Sequence, residues 1–213
     1  MFYLHPHKFK TNIISATQLI ESYRSGKTDF SQVNLTRSAL IDVNLIGIKL
    51  WRSNLIEVNL SQSVLKQADL SESNLFGANL WRINLQSANL KKSKFSYALA
   101  IRACFKQAKL SGALFNSADA RLAYFAGADL QNADLSGANL SYADLSQANL
   151  RGANLSGTVF TGANLEGANL SGTNIDKAIL EQANLKGTIL SSVEKNTIKL
   201  TNHHNVIQSL TSS

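Results

Sequence analysis

Between Phe30 and Leu190 every fifth residue is a hydrophobic centre, without a single insertion. The 33 centres are 24 Leu, six Phe (Phe30, Phe95, Phe105, Phe115, Phe125, Phe160), Ile175, Ala100 and Ala120. This period excludes both regular elements. On an α-helix five residues advance about 500°, so the centres would spiral around the axis and share no face. On a strand an odd period sends successive centres to opposite faces. Only a chain that turns once per repeat points every centre at one axis, which is the signature of a coiled solenoid.

The remaining positions carry their own signals. Two residues before each centre stands a small or β-branched residue, most often Ala. Just before the centre stands Asn or Asp in most repeats, as at Asn34, Asn44, Asp69 and Asp134. Of the 12 glycines, 11 lie two residues after a centre. A type II turn needs positive φ at its third residue, which glycine adopts without steric strain, so the bend follows each centre. By the same rule the turns should differ along the chain. Type II is expected between Gly152 and Gly172, and type I where longer side chains such as Glu57 and Gln62 hold that position. The only proline, Pro6, lies outside the repeats, as expected where stacked coils need every N–H.

These residues follow the A-(D/N)-L-x-x pattern, and the chain resembles the pentapeptide-repeat family over about residues 28 to 192. The resemblance implies an all-β solenoid: a right-handed quadrilateral β-helix with four pentapeptides per coil. Centres and the residues two before them would point inward and the other three outward. A 20-residue coil gives about eight coils, and a ladder spacing of about 4.8 Å makes the rod roughly 40 Å long. Three segments follow: 1–27 with a capping helix, the β-helix over 28–192, and a cap or tail over 193–213. The helix is read over 15–26, from a Ser15/Gln18 capping box, an apolar stripe of Leu19, Ile20 and Tyr23, and Gly26 as the stop. Gly26, Asp29 and Phe30 are similar to the entry into the repeats in cyanobacterial members. The pattern ends at Lys195, and Val206, Ile207 and Leu210 are the apolar residues left for a C-terminal cap.

Nothing in the sequence assembles into chemistry. Cys104 is the only cysteine, so no intrachain disulfide forms, and no His in the repeats could activate it. His5, His7, His203 and His204 stand in the termini, with too few neighbouring ligands for a metal site. The Asp residues before the centres are expected to bond the backbone of neighbouring coils. No enzyme activity, cofactor or metal is expected. With no signal-like start and no run of 18 apolar residues, a soluble cytoplasmic protein is the expectation. Ala100 and Ala120 lie one coil apart between Phe95, Phe105, Phe115 and Phe125. This reads as an exchange of core volume, with a ligand cavity as the rival reading.

Charge and surface residues are uneven. Residues 1–125 carry 16 basic and seven acidic side chains, a net of +9; residues 126–213 carry five and seven, a net of −2. With the 20-residue coil, Ile41, Trp81, Ile101 and Arg121 share one column, and Arg82, Arg102, Leu122 and Tyr142 the next. Ile56 and Phe76 run along the preceding corner, near Tyr97 and Leu99. An apolar patch threaded with arginine is the composition of an interaction surface. The expected function is therefore a non-enzymatic scaffold that binds a protein partner through Ile56, Phe76, Trp81, Arg82, Tyr97, Leu99, Ile101, Arg102 and Arg121. The resemblance allows this, since a cyanobacterial member regulates heterocyst differentiation through protein partners. An alternative is binding of nucleic acid or an anionic surface through the basic band from Lys91 to Arg121. The resemblance also offers DNA mimicry acting on gyrase, but that needs a strongly acidic rod, and this chain is basic.

Overall fold

The structure is a computed structural model that describes residues 12–191. Backbone pairing fixes the coil at twenty residues. Parallel bridges join each residue before a centre to its counterpart twenty on, from Asp29↔Lys49 to Asn169↔Ile189. Four such pairings per coil make a square. We number its sides by their centres: side one holds Phe30, Leu50 and Leu70; side two Leu35, Leu55 and Leu75; side three Leu40, Leu60 and Leu80; side four Leu45, Leu65 and Leu85. A corner follows each centre.

Each repeat spends three residues on a side and two in a turn, so the sides are too short for ordinary strands. Apart from β1 (Asn12–Ile13) and β2 (Val33–Asn34), which pair in parallel, the described chain is held by single-residue bridges. The ladder is nonetheless continuous. Leu55 N–H donates to Asn74 O at 2.8 Å, Glu57 N–H to Phe76 O at 2.8 Å, and Asn74 N–H to Ser53 O at 3.0 Å. A fourth bond, Val58 N–H to Leu55 O at 3.1 Å, closes the turn.

The turns do not differ along the rod as the sequence led us to expect. Glu57 has φ +54° and Gln62 φ +63°, in the same sense as Gly152 at +68° and Gly172 at +71°. Every position two after a centre, from Gln32 to Gly187, has positive φ, and 21 of those residues are not glycine. The reason is the ladder. Type I and type II turns differ by a flip of the central peptide. Here that peptide is stacked: the Gln62 N–H donates to Trp81 O at 2.8 Å, and the Ser61 carbonyl accepts from Asp42 N at 3.0 Å. Flipping it would leave both groups unpaired and disturb the coils above and below. Leaving two such groups unpaired costs about 1–3 kcal/mol each, which together exceeds a left-handed backbone of about 1–2 kcal/mol.

The Asn and Asp residues before the centres also bond differently from expectation. Their carboxylate or amide oxygens accept mainly from their own turn two residues on, as in Ser71 N–H to Asp69 Oδ1 at 2.9 Å and Ser136 N–H to Asp134 Oδ1 at 3.0 Å. These are Asx-turns, which brace the bend. Toward the neighbouring coil they meet side chains, not backbone: Asn89 Nδ2 donates to Asp69 Oδ1 at 3.0 Å.

Inside, the centres from Phe30 to Leu185 are buried, with the residues two before them alongside. Inward serines are satisfied by turn carbonyls, as in Ser63 Oγ to Leu40 O at 2.6 Å. Two successive coils each hold Leu, Phe, Ala and Phe at their centres. Phe95 stacks on Phe115 with centroids 4.5 Å apart, and Phe105 on Phe125 at 4.7 Å. Phe95 and Phe105 come from opposite sides and meet edge to face at 6.1 Å, beside buried Ala100. The rings thus occupy the space that Ala100 and Ala120 vacate, which is the exchange of volume and not a ligand cavity.

At the N-terminal end lies α1 (Ala16–Arg24), opened by a reciprocal Ser15–Gln18 capping box. Its Leu19 is fully buried against the first coil, with Ile20 and Tyr23 packed beside it, and the Tyr23 hydroxyl donates to Ile46 O at 2.8 Å. The proposed C-terminal cap, the terminal histidines and the break at Lys195 lie outside the described residues.

Candidate partner-binding surface

The turn puts two adjacent side chains on each corner, and the side between corners adds one more outward column. From residue 56 to residue 142 these columns bring the sequence-predicted residues together across side three. Ile56, Phe76 and Tyr97 line the corner before it, Leu99 stands on its flat, and Trp81, Arg82, Ile101, Arg102 and Arg121 form the corner after it. Phe76 and Tyr97 touch, with centroids 5.4 Å apart. Phe76 is 42% exposed, Tyr97 57% and Leu99 50%. Ile56, Trp81 and Ile101 are half-buried, and the three arginines are exposed. Trp81 is thus less open than its position alone implies: the Arg82 guanidinium lies over the indole at 4.6 Å.

The same corner continues into Leu122 and Tyr142, the latter 59% exposed. Sequence reasoning missed Tyr124, which is 44% exposed on the flat of side four, with Lys106 Nζ 5.4 Å from its ring. The signal was present: Tyr124 replaces the Asn or Asp that braces most turns, as Leu99 does. Cys104 stands directly below Tyr124 in that column, half-buried.

A second Trp-Arg pair, Trp51-Arg52, occupies the corner after side one, with the guanidinium 4.9 Å from the indole. Electrostatics separates the two pairs. Arg52 Nε bonds Glu72 Oε2 at 2.8 Å, and Arg37 Nε bonds Glu57 Oε2 at 2.7 Å, which raises the Arg37 pKa and lowers that of Glu57. Arg121 is held by Asp119 through two bonds, at 2.9 and 2.7 Å, and its pKa is raised. Neither Arg82 nor Arg102 has a carboxylate partner of this kind among the described residues.

The basic band does not form a face. Lys91 and Lys92 lie on the corner after side one, Lys94 on side two, Arg102 and Arg121 on the corner after side three, Lys106 on the corner after side four, and Lys109 on side one. Seven charges therefore ring the rod instead of tracking a phosphate backbone along it. Among the described residues no cluster of three His, Cys, Asp or Glu could hold a metal, and no helix is long and apolar enough to cross a membrane.

Comparisons with known proteins identify the five-residue repeat. The model of the family described as pentapeptide repeats matches in eight copies over residues 53–91, 103–141, 121–157, 138–175 and 153–191. No curated protein matches the chain. Among solved structures, QnrB1, a plasmid-mediated fluoroquinolone resistance protein, is 17% identical with a TM-score of 0.51, covering 78% of this chain and 95% of its own. HetL, a pentapeptide repeat protein involved in heterocyst differentiation regulation from the cyanobacterium Nostoc sp. strain PCC 7120, is 29% identical over 84% of this chain and 98% of its own, with a TM-score of 0.29. Another Nostoc protein of this kind, alr5209, is 23% identical over 85% and 99%, with a TM-score of 0.28. The repeats, the register and the matched residues place this chain in the pentapeptide-repeat family.

Proposed function

We propose that the chain is a non-enzymatic scaffold that binds a protein partner through the surface centred on side three. The observation that carries this reading is the grouping of open apolar side chains. Phe76, Tyr97, Leu99, Leu122, Tyr124 and Tyr142 stand exposed on contiguous columns, on a rod whose second half otherwise presents mainly Ser, Gly, Asn and Asp at its surface. Exposed apolar residues scattered singly need no explanation, whereas a contiguous group rimmed by arginine has the composition of a binding hot spot. The basic band supports nucleic-acid binding less well, because its charges point to all sides.

The test is capture from the native cell by wild type and by Trp81→Ala/Arg102→Ala, with Ser141→Ala/Gln182→Ala as the matched control. The first variant should keep its circular dichroism and melting temperature yet lose a partner that the control retains. Retention of every partner by a normally folded Trp81→Ala/Arg102→Ala variant would refute the reading.

A further inference from the structure

Within this surface, we infer that Arg82 and Arg102 form a paired anion clamp, and that the partner offers an acidic segment with apolar side chains beside its carboxylates. This rests on the scaffold reading and names the chemistry of its partner. The inference starts from how the chain treats arginine elsewhere. At the position two after a centre stand Arg37, Arg52, Arg82 and Arg102. For the first two, the residue one coil further is glutamate, and the pair closes at 2.7 and 2.8 Å. One coil beyond Arg82 stands Arg102 instead, and beyond Arg102 stands Leu122. The Arg82 N–H donates to Ile101 O at 3.1 Å and the Arg102 N–H to Arg121 O at 3.0 Å, which fixes the two in consecutive ladder steps. Their backbones are therefore about 4.8 Å apart.

Like charges in adjacent ladder positions disfavour the fold. Asp119, on the flat of side three beside this corner, is already held by Arg121. The two guanidinium groups are thus uncompensated within the described rod, where the same position is compensated twice. Arg82 is also oriented. Its guanidinium carbon lies over the Trp81 indole at 4.6 Å, as that of Arg52 lies over Trp51 while its Nε bonds the Glu72 carboxylate, so a guanidinium held on its indole at this position still offers N–H donors to a carboxylate. Half-buried Trp81 and Ile101 and exposed Leu122 flank the pair, and Tyr142 continues the same column with its ring toward Gly162. A phosphodiester chain would leave those apolar neighbours unused. An acidic protein segment carrying Leu or Phe covers them and supplies the charge.

The experiment measures fluorescence anisotropy of the full chain with three labelled probes. These are a short peptide alternating glutamate with leucine and phenylalanine, the same peptide with glutamine for glutamate, and a DNA duplex. The glutamate peptide should bind, and the glutamine peptide should bind about tenfold or more weakly, a difference of about 1.4 kcal/mol. Arg82→Gln/Arg102→Gln should lose that preference, while Arg37→Gln/Arg52→Gln, which removes equal charge, should keep it. Equal binding of the two peptides would overturn the clamp and leave the apolar surface standing. Equal losses in both double variants would reduce it to bulk charge. Tighter binding of the duplex through Arg82 and Arg102 would assign the pair to nucleic acid and overturn the proposal, as would no binding of the glutamate peptide. Neither of these last results depends on the capture experiment, so the clamp and the scaffold can fail separately.

Discussion

The coils built from Leu, Phe, Ala and Phe make a quantitative demand on the core. Phe105 stacks on Phe125 at 4.7 Å and meets Phe95 and Phe115 edge to face at 6.1 and 5.7 Å. Replacing it by leucine removes three ring contacts, at about 0.5–1.5 kcal/mol each, and the loss should be roughly 2–4 kcal/mol. Ala100→Leu alone inserts bulk into a filled coil and should cost about 1–3 kcal/mol. If the ring and the alanine share one volume, the added leucine fills what the lost ring vacates. Ala100→Leu/Phe105→Leu should then be more stable than the sum of the singles by about 1 kcal/mol or more, within the range of contacting pairs. Urea denaturation followed by circular dichroism reads the cycle, provided the slope with urea is unchanged among the four proteins. Losses that add to within about 0.5 kcal/mol would show independent sites and refute the exchange of volume.

Three further outcomes follow from the same coil. Leu110 is fully buried between stacked coils, so Leu110→Ala should lose about 2–5 kcal/mol, and Leu110→Asp more, as an unpaired buried charge; both are read from the denaturation midpoint. Gly47 has φ +70° with open space where a Cβ would stand, so Gly47→Ala should cost only the left-handed backbone, about 1–2 kcal/mol. Gly47→Pro, which removes the donor to Lys66 O at 2.9 Å and cannot adopt that φ, should cost about 3 kcal/mol or more. Acid titration should separate wild type from Arg37→Gln. Glu57 is lowered by its bond to Arg37, so the pair contributes fully above the ordinary carboxyl range near pH 4.3 and is lost as pH falls through the lowered value. The two melting curves should differ slightly at neutral pH and converge at low pH.

The sequence made the core legible because a period of five has one physical solution, and each centre reports on it independently. Ser15, Gln18 and Leu19 announced the N-terminal cap for the same reason: capping chemistry is local. The turns were misread at Glu57 and Gln62 because single-residue preference was weighed without the ladder. The decision belongs to the central peptide, whose two partners sit nineteen residues away on either side. Side-chain columns could be written down once the coil was known, and they put Phe76 beside Tyr97, whose rings touch. What they could not give was which charges are answered. Arg52 and Arg82 stand in identical Trp-Arg pairs, and only the neighbour one coil on, Glu72 or Arg102, distinguishes them. The basic band failed as a surface for a related reason: residues close in sequence are dealt to different sides every five positions.

Site-specific photo-crosslinking in the native cell addresses the binding surface most directly. A photoreactive phenylalanine is placed at Tyr97 or Tyr142, both open positions on the proposed surface, and at Gln131 or Ser146 as controls on the corners after sides one and four. Adducts with one and the same protein from Tyr97 and Tyr142, and none from the controls, are the result expected of a scaffold that binds through side three. Adducts from Gln131 or Ser146 with no adduct from Tyr97 or Tyr142 would place the partner elsewhere on the rod and contradict it.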